Sequence, residues 1–139
     1  MKQLNIFINE KLKIDKNIKI DNKEINIKFD KSKIEDFPKD DIDKIIEFAE
    51  SLQIKPDEIE YFPNSNAIRL GYRYNNDKSK LQYGIIFGCI NNIYVQKGYR
   101  IEYMEDYNDR YEEYPKFPKV ISLEECFDYI DKKFNDWIK

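Results

Sequence analysis

Glu105, Asp106, Asp109, Glu112 and Glu113 crowd one short stretch, close enough for two of their carboxylates to act together. Two carboxylates at a suitable separation can run a hydrolysis, one as acid and the other as base or nucleophile. The same oxygens can ligate Mg2+ or Ca2+. The spacing lacks the central glycine of a calcium-binding loop, however, and acid-rich loops are ordinarily just solvated. The chain contains no histidine at all. That removes the commonest general acid–base and the commonest metal ligand together, and with them every Ser-His or Cys-His nucleophile. Cys89 and Cys126 are too far apart in sequence to form a zinc-binding pattern. The four glycines are not clustered, so no phosphate-cradling loop or dinucleotide fingerprint is present. The reading is therefore of a protein that is not an enzyme, with no catalytic residue, no metal site and no cofactor.

The same stretch carries tyrosines. Tyr103, Tyr107 and Tyr111 recur every four residues, and Tyr114 follows. Tyrosine offers a large contact area and a hydroxyl at low entropic cost, which is why protein interfaces use it heavily. Acids around such rings steer a basic partner towards them and can imitate a phosphate backbone. The expected partner-binding surface is Tyr103, Glu105, Asp106, Tyr107, Asp109, Tyr111, Glu112, Glu113 and Tyr114. The alternative is that the tyrosines pack partly into the core while the acids keep a loop soluble.

Charge is unevenly spread. Residues 1–34 hold nine lysines against five acids, and residues 35–60 hold ten acids against three lysines. Residues 61–101 are basic again, whereas residues 102–113 set six acids against Arg110. Such blocks either blend into one mixed surface or leave separate acidic and basic faces. Lys11, Lys13, Lys16, Lys19, Lys23 and Lys28 are interrupted by acids, and alternating lysine is an ordinary way to protect a wet strand. Arg69, Arg73 and Arg100, with Tyr72 and Tyr74 adjacent to Arg73, are the better candidates for anion or RNA contact. Use in the scaffold is the expected role of these arginines, and a nucleic-acid partner is not expected.

Several elements can be read that would position these residues. Period-two alternation through Ile14, Ile18, Ile20, Ile25, Ile27 and Phe29 predicts strands near 3–8, 11–20 and 24–30, with a turn at Asp21-Asn22-Lys23. Ile42, Ile45, Ile46, Ala49 and Leu52 recur at helical spacing behind Pro38 and Asp40, and Pro56 is expected to end that helix. Strands follow at 66–74, 81–90 and 93–104, with a tight turn at Asn91-Asn92 and a bulge or break at Gly98. The strand 81–90 is apolar on both faces and so belongs inside a sheet. Gly84 and Gly88 on one face leave room for a helix or another backbone. Residues 105–118 read as irregular, closed by Pro115 and Pro118. A last helix opens at Ser122 with Glu125 three residues on, a capping-box spacing. It carries Leu123, Cys126, Phe127, Ile130, Phe134, Trp137 and Ile138 on one stripe.

The whole predicts a single α+β domain over 1–139, with a mainly antiparallel sheet of about five to six strands and two amphipathic helices packed on it. With 41% apolar and 37% charged residues, the chain is expected to be globular with a polar surface. No apolar run reaches the roughly 18 residues that span a bilayer, so no membrane association is expected. Met1-Lys2-Gln3-Leu4-Asn5 turns polar too soon for a signal peptide, and the cysteines sit in apolar patterns. These features predict a cytoplasmic protein, and its wealth of Ile, Lys and Asn suggests an AT-rich bacterial or phage genome.

No family motif is present. In size, acidity and α+β pattern, with a terminal helix opened by Val120-Ile121-Ser122-Leu123-Glu124-Glu125, the chain is similar in general type to small bacterial immunity proteins. That resemblance implies a stoichiometric protein inhibitor that neutralises a toxin, and it carries over no functional residue. A phage-encoded inhibitor of a bacterial defence complex fits the same features. From a different class, a carboxylate-dependent enzyme or a metal-binding protein would use the same acids.

Overall fold

A computed structural model of the chain describes residues 23–91, 97–105, 110–114 and 120–137. The expected strands near 3–8 and 11–20 lie outside the described residues, as do Asn92, Pro115, Pro118 and Ile138. The described part is an α+β arrangement. Six strands run in the order β1 (Asn26–Ile27), β2 (Glu58–Phe62), β3 (Ala67–Arg73), β4 (Leu81–Ile90), β5 (Gly98–Glu105) and β6 (Arg110–Tyr114), each hydrogen-bonded to the next. The pair β1–β2 is parallel and every other pair is antiparallel. Two helices, α1 (Lys39–Ser51) and α2 (Leu123–Trp137), pack on the sheet.

Alternation decides which sheet face the helices cover. Ile68, Leu70 and Tyr72 on β3, Ile85 and Phe87 on β4, and Tyr99, Ile101 and Tyr103 on β5 are buried, each two residues from the next. Ile42, Ile45 and Ala49 of α1 and Leu123, Cys126 and Ile130 of α2 meet them from above. An aromatic cluster ties the layers together. Phe48 stacks on Phe127 with ring centroids 4.3 Å apart, and Phe87 meets both edge-on from the sheet.

Both helix ends follow local chemistry. At α2 the Ser122 hydroxyl accepts from the Glu125 amide at 3.1 Å, and the Glu125 carboxylate accepts from the Ser122 amide at 3.0 Å. This is the reciprocal cap that the Ser122–Glu125 spacing predicts. Helix α1 ends earlier than the position of Pro56 implies. Leu52 is already extended, and the Ser51 hydroxyl donates to the Phe48 carbonyl at 2.7 Å, satisfying a last-turn acceptor.

Several expectations meet a different structure. Strand β2 has no counterpart in the sequence reading. Residues 110–114, read as irregular, form β6 against β5. The space beside Gly84 admits no helix or backbone. A Cβ there would lie 3.3 Å from Cδ of Arg69, whose stem crosses the strand, while the helices occupy the other face. Residues 93–96 of the expected strand 93–104 lie outside the described residues, and β5 begins at Gly98. This residue is glycine because Tyr99 and Ile121 exchange backbone hydrogen bonds at 2.8 and 3.0 Å, which would bring a Cβ within 2.6 Å of the Ile121 carbonyl oxygen.

Candidate functional site

The acidic, tyrosine-bearing segment is built as the last hairpin of the sheet. The antiparallel ladder pairs Ile101 with Tyr114, Glu102 with Glu113, Tyr103 with Glu112, Met104 with Tyr111 and Glu105 with Arg110. Of the nine expected contact residues, the pairing thus brings Tyr103, Glu105, Tyr111, Glu112, Glu113 and Tyr114 onto two adjacent strands. Asp106, Tyr107 and Asp109 lie outside the described residues. Tyr103 departs from the expected role. Its side chain is only 7% exposed and stacks on Tyr83 with centroids 6.0 Å apart. It supports the hairpin from the core and does not present its ring to a partner. The four-residue tyrosine spacing would keep one face within a single strand, but it does not carry from β5 to β6, where Tyr103 pairs with Glu112 and Tyr111 with Met104.

On the face away from the helices the structure assembles an ionic cluster that nothing local announces. Glu58 is 4% exposed and accepts from Arg73 through both oxygens, at 2.7 Å from Nη2 and 3.1 Å from Nε. Arg69 Nη2 adds a contact at 3.2 Å and Lys28 Nζ another at 3.2 Å. Arg69 also reaches Glu60 at 2.7 Å, with its guanidinium 4.9 Å above the Phe62 ring. Asp57 accepts from the Arg73 amide at 2.7 Å and from Lys78 at 3.2 Å, with Lys23 3.3 Å away. Burial pushes the Glu58 carboxyl up, but the hydrogen bonds and charges of Arg73 and Lys28 outweigh it and hold the group below its ordinary value. Asp57 is lowered in the same way: burial opposes, and the Arg73 amide and two lysines prevail. Gly71 makes this possible, since a Cβ there would stand 3.1 Å from Cγ of Glu58. Arg69 and Arg73, considered above as anion or RNA contacts, are therefore engaged in tying β2 to β3 and are not offered to a ligand.

An open cleft of about 370 Å3 lies where the first turns of both helices approach the ends of β4 and β5. Its walls include Asp41, Lys44, Cys89, Lys97, Tyr99 and Glu124. The Tyr99 hydroxyl donates a short hydrogen bond to Asp41 Oδ2, and Lys44 meets Glu124 at 3.5 Å between the helices. Burial, then the bond to Asp41, raises the Tyr99 hydroxyl above its ordinary value, and burial likewise raises the Cys89 thiol. Both groups are held in the protonated form at neutral pH, which leaves the cleft without an activated nucleophile from this pair. Sequence spacing could not reveal the cleft, because its walls come from four separate elements.

Among the described residues no group of three or more Cys, Asp or Glu side chains is arranged to hold a metal ion. No helix among them is long and apolar enough to cross a membrane. No family model matches the chain, and no curated protein or solved structure gives a significant match.

Proposed function

We propose that this protein is a non-enzymatic, protein-binding inhibitor of the toxin-neutralising immunity type, acting in the cytoplasm on a partner with a basic surface. The observation that carries the reading is the β5–β6 ladder. It sets Glu102, Glu105, Glu112 and Glu113, four of the six acids of 102–113, on two paired strands at the end of the strand order. An ordered surface binds with less entropic penalty than a loop that must be frozen on contact. Its charge would speed encounter with a basic protein and select against acidic ones. The engagement of Arg69 and Arg73 with Glu58 supports a protein partner over nucleic acid, because two of the three best basic candidates are already neutralised.

The test is affinity capture from the native host with purified protein, in parallel with a variant carrying Glu105→Gln, Asp106→Asn and Asp109→Asn. The expected outcome is one stoichiometric toxin, nuclease or defence protein that is lost in the variant while its melting temperature is kept. Capture of the same partner by both forms would refute the assignment to this segment. Turnover or metal uptake that disappears with the three carboxylates would replace the reading with a carboxylate-dependent enzyme or metal-binding protein.

A further inference from the structure

Strand β6 closes the strand order, and among the described residues its only hydrogen-bonded strand neighbour is β5. A strand paired on one side directs alternate amides and carbonyls away from the sheet, and such an edge is a template for another strand. We propose that the partner engages this edge by adding an extended, basic segment to β6, which continues the sheet by one strand. This rests on the reading of the protein as a protein-binding inhibitor and specifies how it binds.

Charge identifies the occupant. Arg110, Glu112 and Glu113 make three of the five residues of β6 charged, and the stretch 102–113 as a whole sets six acids against that one arginine. Two copies of this edge paired about Glu112 would set Glu112 against Glu112, and in any register the net negative charge of 102–113 opposes the approach of a second such edge. A second copy of the chain is therefore a poor occupant. A strand rich in lysine or arginine gains opposite-charge cross-strand pairs in addition to the backbone ladder, and only such a strand satisfies both requirements. Main-chain bonds then supply affinity, and the acids supply selection against neutral or acidic segments.

The mode makes a demand that a side-chain patch would not. Outward amides at alternate positions of 110–114 exchange quickly in the free protein and become protected when a strand is added. The experiment is residue-resolved amide exchange by NMR on the full chain, alone and with a probe peptide of about ten residues alternating lysine and valine. A peptide alternating glutamate and valine is the control. The expected result is fast exchange at alternate β6 amides in the free protein, at least about tenfold slowed by saturating lysine peptide and unaffected by the glutamate peptide. Glu112→Gln with Glu113→Gln should weaken the lysine peptide by about tenfold while leaving the protection pattern in place at saturation. Slow exchange at those amides in the free protein would show the edge already occupied by another part of the chain or by a second copy, and would overturn the inference. Peptide binding that depends on Glu112 and Glu113 yet protects no β6 amide would also overturn it, while leaving the broader inhibitor reading intact.

Discussion

Glu58→Gln tests the physical reasoning most directly, because one carboxylate meets three cations in the sheet. The change keeps shape and one acceptor oxygen but removes the charge. Lys28 is 39% exposed on its side chain, so its contact is screened and worth less than about 1 kcal/mol. Arg69 and Arg73 are different, with side chains only 15% and 19% exposed. Arg69 retains Glu60 at 2.7 Å, whereas Arg73 loses its charged two-oxygen partner and keeps one amide oxygen with the Ser79 carbonyl at 3.2 Å. Removing one side of a buried pair ordinarily costs about 3–5 kcal/mol, and the surviving bonds place this case at the lower end, about 3 kcal/mol. With a urea slope of about 1.5 kcal/mol per molar, the unfolding midpoint should fall by about 2 M at pH 7. Acid titration supplies a second readout. The folded Glu58 carboxyl is held below its ordinary value, so its contribution is complete above the unfolded value of roughly 4.3 and is lost as pH falls through the lowered folded value. The stability gap between wild type and variant should therefore close in acid. A midpoint shift below about 0.3 M with an unchanged slope, or a gap that is constant with pH, would refute the argument that this cluster is desolvated.

Two further changes probe the backbone that surrounds the cleft and the hairpin. Gly98→Ala places a methyl 2.6 Å from the Ile121 carbonyl oxygen, and backbone on both sides leaves little room to yield. A loss of about 2 kcal/mol is expected, read as a lower midpoint in chemical denaturation, and a shift within error would mean that the Tyr99–Ile121 bridge is easily displaced. Ser122→Ala removes the hydroxyl half of the reciprocal cap on α2 and should lower stability by about 1 kcal/mol in the same assay, whereas Ser122→Asp should recover most of it. Equal loss in both variants would argue against capping as the cause.

How much was legible depended on whether a segment's pattern was enough to determine its own structure. Helix α2 was legible because its cap at Ser122–Glu125 and the stripe that buries Leu123, Cys126 and Ile130 are both local. Strands β3 and β4 were legible because their alternation or continuous apolar run is long. For α1 the stripe predicted the helix, but the Ser51 hydroxyl and the extended Leu52 end it before Pro56 is reached. Strand β2 was not legible: Glu-Ile-Glu-Tyr-Phe is short, and it is a strand only because β1 and β3 flank it. Strand β6, Arg-Tyr-Glu-Glu-Tyr, has too little apolar alternation to declare itself and depends on its ladder with β5.

The candidate site divides along the same line. Composition alone established the density of acids and tyrosines near 102–114, the absence of histidine and the balance that favours a polar-surfaced α+β chain. Register alone decided that Tyr103 faces the core, because the side of a strand on which a residue falls is set by pairing and not by its neighbours' charges. Arg69 and Arg73 read equally well as ligands for an anion or as scaffold. Only the folded sheet brings Glu58 from eleven and fifteen residues away to neutralise them. Local patterns specify local structure because helices and capped turns are held by contacts within a few residues. Ion clusters, clefts and strand edges are held by contacts between distant ones, and for those the tertiary structure is where the information first exists.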